Sequence, residues 1–207
     1  MPETYEVERN FALSEEEHER LLTDATFLQE QNFTDIYYDT AAYTLTLQDK
    51  WLRNRNGQWE LKLPVDMAPG SIMDQYQEIT DQKEIRTALG FPAEGPFSNI
   101  LTEGGYLPFC TCTTTRQMYL KEGFTIVLDI VEYEGYEWVY ETCEIEQIVA
   151  NRDDIPDASE RINVFAAANK LASTPAHGKV IEFLLRERPE HFKALADAGV
   201  LTRTTGA

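Results

Sequence analysis

The sequence predicts an α+β protein, a closed eight-stranded antiparallel β-barrel with a polar, charged lumen and helices packed outside. Three observations lead there. About eight alternating strands carry a mixed-charge face, while their opposite faces are largely apolar. Asn56-Gly57, Glu122-Gly123 and Glu134-Gly135 are turn signals that make neighbouring strands antiparallel. Two or three amphipathic helices are available as an outer cover. An open sheet would put its apolar face on the core and its charges in water. A barrel inverts this, and eight strands enclose a bore just wide enough for a small ligand.

The first strand signal is Tyr5–Leu13, with Glu6, Glu8 and Asn10 on one face and Val7, Arg9 and Phe11 on the other. Ser14 with Glu17 three residues on is a capping box, and the spacing predicts a helix from there to about Gln31. Phe33–Thr40 reads as a strand. Trp51–Leu63 reads as a hairpin around Asn56-Gly57, whose two-residue loop sets Arg55 opposite Gln58, Arg53 opposite Glu60 and Trp51 opposite Lys62. One face of it therefore gathers Trp51, Arg53, Arg55, Glu60 and Lys62. Pro64–Gly70 reads as a loop, and Asp74–Thr80 as a strand with Tyr76 and Glu78 on one face. Asp81 to about Leu89 reads as a helix stopped by Gly90 and Pro92. A short helix is expected at Phe97–Glu103, within a proline- and glycine-rich stretch.

From Thr111 two further hairpins are expected, the first setting Arg116 opposite Asp129 and the second setting Asp129 opposite Tyr140. Both registers put Arg116, Asp129, Tyr140, Thr142, Glu144 and Glu146 on one face. The tail reads as helices over about Ser159–Ala172, Gly178–Glu187 and Pro189–Gly199. At 207 residues, 1–207 suits a single domain whose helices from about 159 cover the barrel.

Composition narrows the function. A formal net charge of −18 opposes binding to nucleic acid, which needs lysine and arginine to neutralise phosphates. It also repels any anion at long range, so an anion would be held only by a concentrated basic pocket, by metal cations, or by both. No run of roughly 18 apolar residues occurs and the acidic N-terminus lacks an apolar core, so neither a membrane partner nor a secretory signal is expected. Cys110, Cys112 and Cys143 are an odd count without a CxxC pair, which argues against a disulfide framework or structural zinc and suits a reducing cytoplasm. A monomer is expected. His18, His177 and His191 show no metal spacing.

Glu6/Glu8 and Glu144/Glu146 crowd like charges two residues apart on strand faces, which is destabilising unless a cation lies between them. Such oxygen-rich clusters suit Mg²⁺ or Mn²⁺, which also bind phosphate oxygens, and arginine and lysine on a facing wall match those same oxygens. Each pair alone reads as a solvated strand edge. Their repetition on one inferred face points instead to an enclosed site for a metal–polyphosphate complex.

Seven pieces, in order over almost the whole chain, resemble the CYTH superfamily of triphosphate tunnel metalloenzymes, and within it the thiamine triphosphatases. They are Glu6-Val7-Glu8-Arg9-Asn10-Phe11, Ile36-Tyr37-Tyr38-Asp39-Thr40, Trp51-Leu52-Arg53-Asn54-Arg55, Trp59-Glu60-Leu61-Lys62, Tyr76-Gln77-Glu78, Glu144-Ile145-Glu146 and Gly178-Lys179-Val180-Ile181-Glu182. The resemblance implies a tunnel that hydrolyses the terminal phosphoanhydride of a triphosphate with Mg²⁺, or alternatively Mn²⁺. In its terms Arg53, Arg55, Lys62, Arg116 and Lys179 hold the phosphates, and Glu6, Glu8, Asp129, Glu144 and Glu146 bind metal, with Glu78 a companion. Glu6, Glu8, Arg53, Arg55 and Lys62 carry the catalysis. Trp51 is similar to the aromatic that contacts thiamine, a cation–π pairing, and Tyr38 is expected to line the same end.

One departure stands out. The family's opening motif is Glu-x-Glu-x-Lys, and here the last position is Asn10, which donates a hydrogen bond but brings no charge. Weaker phosphate stabilisation or altered turnover is expected. The competing readings are an inorganic tripolyphosphatase, a catalytically weak barrel that binds polyphosphate or nucleotide, and a scaffold whose charged face is solvated. Adenylate cyclase, another activity of the superfamily, fits the pieces less well.

Overall fold

The structure is a computed structural model that describes residues 4–65, 74–171 and 176–201. Its strands are β1 (Tyr5–Phe11), β2 (Thr26–Asp39), β3 (Trp51–Arg55), β4 (Gln58–Pro64), β5 (Asp74–Ile79), β6 (Leu107–Lys121), β7 (Phe124–Tyr133) and β8 (Val139–Val149). They close into a barrel in the order β1-β5-β4-β3-β2-β6-β7-β8, and β8 pairs back onto β1. Every pairing is antiparallel.

The β3–β4 register is the one its turn specifies, with Trp51 opposite Lys62, Arg53 opposite Glu60 and Arg55 opposite Gln58. Both turn residues take positive φ, 48° at Asn56 and 91° at Gly57. Arg116 likewise pairs with Asp129. The next hairpin departs from expectation, because Asp129 pairs with Thr142 and not with Tyr140. Its connection, from Tyr133 to Val139, is longer than a two-residue turn. The slip is by an even number of residues, so every side chain keeps its face.

Helix α1 (Glu15–Leu22) starts at the expected capping box, in which the Glu17 amide donates to Ser14 Oγ and the Ser14 amide donates to Glu17 Oε2 at 2.8 Å. It does not continue to Gln31. Asp24 takes a left-handed φ of 62°, and the chain enters β2 at Thr26. The helix-forming Leu28-Gln29-Glu30-Gln31 is recruited instead into a long ladder with β6, running from Thr26–Leu120 to Asp39–Leu107. Long-range pairing overrides local propensity here. Helices α2 (Gln82–Leu89, N-capped by Asp81 and closed by Gly90) and α3 (Phe97–Glu103) lie where expected. β6 begins at Leu107, earlier than the expected Thr111. The loop expected at Pro64–Gly70 is described only as far as Val65, and the rest of it lies outside the described residues.

Helix α4 (Ile155–Ala168) packs Ile162 and Phe165 on the outer faces of β1 and β8, at Val7, Phe11 and Ile145. Helices α2 and α3 cover β3 and β4 through Ile85, Phe97 and Leu101 on Leu52 and Leu61. Helices α5 (Lys179–Glu187) and α6 (Pro189–Asp197) behave differently. Val180, Ile181, Leu184 and Leu195 pack with Tyr37, Trp51, Cys112 and Val131, residues that alternation puts on the same strand faces as Arg53 and Asp129. These two helices therefore close one end of the bore. Leu184 and Leu195 are fully buried, each contributing roughly 2 kcal/mol of apolar burial. All three cysteines are free and buried, and no helix among the described residues is long and apolar enough to cross a membrane.

Candidate active site

The bore holds a cavity of about 150 Å³, lined by five cationic and seven acidic side chains. Strand alternation delivers them. Glu6 and Glu8 come from β1, Arg53 and Arg55 from β3, Lys62 from β4, Asp74 and Glu78 from β5, Arg116 from β6, Glu144 and Glu146 from β8. Lys179, the first residue of α5, completes the basic set, and Asp49 before β3 completes the acidic one.

Each cation is held by acids. Arg53 donates from Nε to Glu60 and from Nη2 to Glu78, both at 2.7 Å. Arg55 forks onto Asp35 at 2.7 and 2.9 Å. Lys62 Nζ lies 2.6 Å from Glu6 and 3.5 Å from Glu8. Arg116 contacts Asp129 and Glu144, and Lys179 Nζ lies 2.6 Å from Asp35 and donates to Thr114 Oγ1 at 3.1 Å. Burial disfavours the charges on Arg53, Lys62 and Arg116, yet their acidic neighbours hold all three pKa values well above the ordinary range.

Asp35 was not singled out from the sequence, although it neutralises two of the phosphate-binding candidates. Burial opposes its ionisation, but Arg55, Lys179 and Arg53 hold its carboxyl far below the usual aspartate value. Its signal was available in the alternation of β2, where Asp35, Tyr37 and Asp39 share the inward face.

Among the described residues, Glu6, Glu8 and Glu146 each offer an oxygen within 4.8 Å of the others. Burial pushes Glu8 and Glu146 well above the usual glutamate range, and neighbouring carboxylates add to it. Burial also works to raise Glu6, but Lys62 and the arginines bring it below that range. Glu146 Oε1 is buried without a hydrogen-bond partner. An all-oxygen donor set with an orphaned buried carboxylate oxygen fits a hard divalent cation such as Mg²⁺ or Mn²⁺.

The other acids expected to bind metal are placed differently. Glu144 lines the cavity beside the trio but accepts from Arg116 at 2.9 Å. Glu78 accepts from Arg53. Asp129 is set apart from the trio, with both its oxygens accepting from Arg116 and its side chain outside the lining of this cavity. Tyr38 is a correction. It points outward and packs on Trp59 with ring centroids 5.0 Å apart, while its neighbour Tyr37 lines the cavity. Adjacent residues on a strand face opposite ways.

Trp51 lines the cavity and belongs to the α5–α6 cluster at once. Its indole N–H donates to Asp49 Oδ1 at 2.9 Å, and the same oxygen accepts from Tyr76 Oη at 3.0 Å. Asn10 is 5% exposed, and its Nδ2 donates to Asp74 Oδ2 at 3.2 Å while its Oδ1 has no partner. Burial, then the carboxylate of Asp49, pushes the Asp74 carboxyl up to about 7.

Comparison with known proteins agrees with this geometry. The CYTH domain family matches residues 4–174. The chain is 28% identical to a protein named thiamine-triphosphatase from Macaca fascicularis and 27% identical to one from Homo sapiens, each match covering 93% of this chain and 89% of the relative. A solved structure from Pyrococcus horikoshii OT3 superposes with a TM-score of 0.60 at 24% identity, covering 88% of this chain and 99% of the other. A closed antiparallel barrel with helices around it, and a match over most of its length, place the chain by fold and by sequence alike: it belongs to the CYTH domain family.

Proposed function

We propose that this protein is a divalent-cation-dependent hydrolase that cleaves the terminal phosphoanhydride of thiamine triphosphate, giving thiamine diphosphate and phosphate. One observation carries the reading: the Glu6–Glu8–Glu146 trio and a wall of Arg53, Arg55, Lys62, Arg116 and Lys179 line one cavity in the bore. The names of the relatives support the triphosphate, and Trp51 at the closed end supports an organic head group. Mg²⁺, with Mn²⁺ as the alternative, would be held by Glu6, Glu8 and Glu146, and when bound it supplies Lewis-acid neutralisation of phosphate oxygens.

The chain's own groups do the rest. Phosphoryl transfer needs positioning and charge stabilisation more than covalent help. Arg53, Arg55 and Arg116 present planar forks to phosphate oxygens, and Lys62 and Lys179 add point charges. Asp35, Glu60 and Asp129 fix the directions of those forks, so little reorganisation accompanies the reaction. Helices α5 and α6 keep bulk water from one end of the bore. With seven acids against five cations in the lining, a bare triphosphate is repelled more strongly than a metal-complexed one.

Phosphate release from thiamine triphosphate, tripolyphosphate and ATP, each with Mg²⁺ and with chelator, tests this. Turnover of thiamine triphosphate that is fastest of the three and abolished by chelator is expected. Faster release from tripolyphosphate would move the assignment to an inorganic tripolyphosphatase. Binding of all three without release would favour a binding barrel, the reading that Asn10 in place of lysine keeps in view.

A further inference from the structure

Phe33 is a buried aromatic residue set among charges. It is 6% exposed and shares the inward face of β2 with Asp35, two residues further on. Among the described residues it joins none of the three buried hydrophobic clusters that cover the barrel and close its end. Three cations gather on it instead. The Arg55 guanidinium carbon lies 4.0 Å from the ring centroid, Lys179 Nζ 4.7 Å and the Arg116 guanidinium carbon 5.6 Å. All three fall inside the range of about 6 Å over which a ring face attracts a cation.

These cations arrive from β3, α5 and β6, and acids hold them in two groups. Asp35 ties Arg55 to Lys179, while Asp129 and Glu144 hold Arg116. Phe33 is where the two groups meet. Its cross-strand neighbour Thr114 accepts from Lys179 Nζ at 3.1 Å, so β2 and β6 support the lysine together. The three cations line the cavity and the ring does not, so the ring backs them from behind.

A ring and a carboxylate hold a cation in different ways. A carboxylate takes up N–H donors and cancels charge. A ring attracts the cation through its quadrupole and leaves the net charge intact. It therefore draws mutually repelling cations toward one point while their remaining donors stay free for an anion. Burial strengthens that attraction, because water no longer competes for the cations on that side.

We propose that Phe33 is a positioning residue, a ring platform that assembles Arg55, Lys179 and Arg116 into one seat for a phosphoryl group. The inference rests on the triphosphate hydrolysis proposed above. It adds a side chain that acts through the phosphate-binding cations without touching substrate.

The test replaces Phe33 with phenylalanine carrying one, two or three ring fluorines, introduced by nonsense suppression. Each fluorine draws charge from the ring face and weakens its hold on a cation, with little change in size. Two readouts follow the series at saturating Mg²⁺. One is kcat/KM for thiamine triphosphate and for tripolyphosphate. The other is the calorimetric Kd of methylenediphosphonate, whose bridging carbon resists hydrolysis. For both substrates kcat/KM is expected to fall stepwise, to about a tenth with three fluorines, and the Kd is expected to rise in step. Phe33→Leu, apolar but without a ring, should lose at least as much. If that variant fails to fold, the fluorinated series still decides, because a residue needed only for packing would leave it flat. Unchanged kcat/KM and Kd across the series would overturn the platform, whatever Phe33→Leu does. A wild type that releases no phosphate from either substrate would overturn the hydrolase reading, and the methylenediphosphonate series would still decide the platform.

Discussion

Arg116 and Asp129 face each other across β6 and β7, and the guanidinium delivers two hydrogen bonds of 2.7 Å to the two carboxylate oxygens. The same Nη2 reaches Glu144 at 2.9 Å. Asp129 therefore aims Arg116 at the cavity, with both of its oxygens engaged by the guanidinium. Asp129→Asn would turn one of those acceptors into a donor facing the guanidinium. The expected result is a KM for triphosphate raised about tenfold, with Mg²⁺ affinity by calorimetry within about twofold of wild type. Breaking a buried pair of this kind costs about 3–5 kcal/mol, visible in chemical denaturation. A collapse of Mg²⁺ affinity would instead return Asp129 to the metal set.

The metal trio makes a prediction about pH. Burial raises the carboxyls of Glu8 and Glu146 well above the usual value, so the folded protein binds protons that the unfolded chain has released. Metal-free protein consequently loses stability as pH rises from the ordinary glutamate range through those raised values. A divalent cation competes with the same protons. The gain in Tm from saturating Mg²⁺ should be larger at pH 8 than at pH 6, and most of it should vanish in Glu8→Gln and Glu146→Gln. Turnover in those variants is expected to fall about a hundredfold or more. Full Mg²⁺-dependent activity in Glu8→Gln would refute the assignment.

Asp35 is expected to matter as much as the cations it holds. Asp35→Asn would release one side of the Arg55 fork and the 2.6 Å contact to Lys179. Two phosphate-binding groups would lose their direction together, so kcat/KM should drop at least as far as in Lys179→Ala, about tenfold or more. A double-mutant cycle between the two positions should show strong coupling, whereas additive losses would mean that Asp35 acts elsewhere.

His191 gives a prediction about acid. Thr46 Oγ1 donates to Asp39, so the 2.7 Å contact between Thr46 Oγ1 and His191 Nε2 makes the imidazole the donor, in its neutral form. Tyr43 stacks on the same ring with centroids 3.8 Å apart. Burial lowers the His191 pKa to about 4. A base depressed in the folded state withdraws stability as pH falls from the ordinary histidine value toward that figure. His191→Phe, which keeps the stacking and cannot charge, should flatten the Tm curve between pH 6.5 and 4. An unchanged slope there would separate His191 from the acid response.

Much of the site was legible because strand alternation is a strict rule. Once Asn56-Gly57 fixed one register, Arg53, Arg55 and Lys62 had to share a face, and Glu6 with Glu8 needed only period two. An even slip in the last hairpin changed partners without changing faces, which is why Glu144 and Glu146 stayed in the lumen. Other features failed for local reasons. Leu28–Gln31 is good helix sequence, and only the presence of β6 beside it makes it a strand. Tyr37 and Tyr38 are indistinguishable until the parity of β2 is anchored to a partner.

The sequence by itself determined the inward set of charges, the turn-bounded strands and the family, because these follow from spacing along one chain. Only the tertiary structure decided which acids meet a cation and which meet each other. That choice divides Glu6, Glu8 and Glu146 from Asp129, joins Asp35 to Lys179 across 144 residues, and sets Asn10 against Asp74. It also turned α5 and α6 into the closure of the bore. The physical reason is that Coulomb and hydrogen-bond energies depend on separations of a few ångströms between distant segments, and no periodicity encodes those separations.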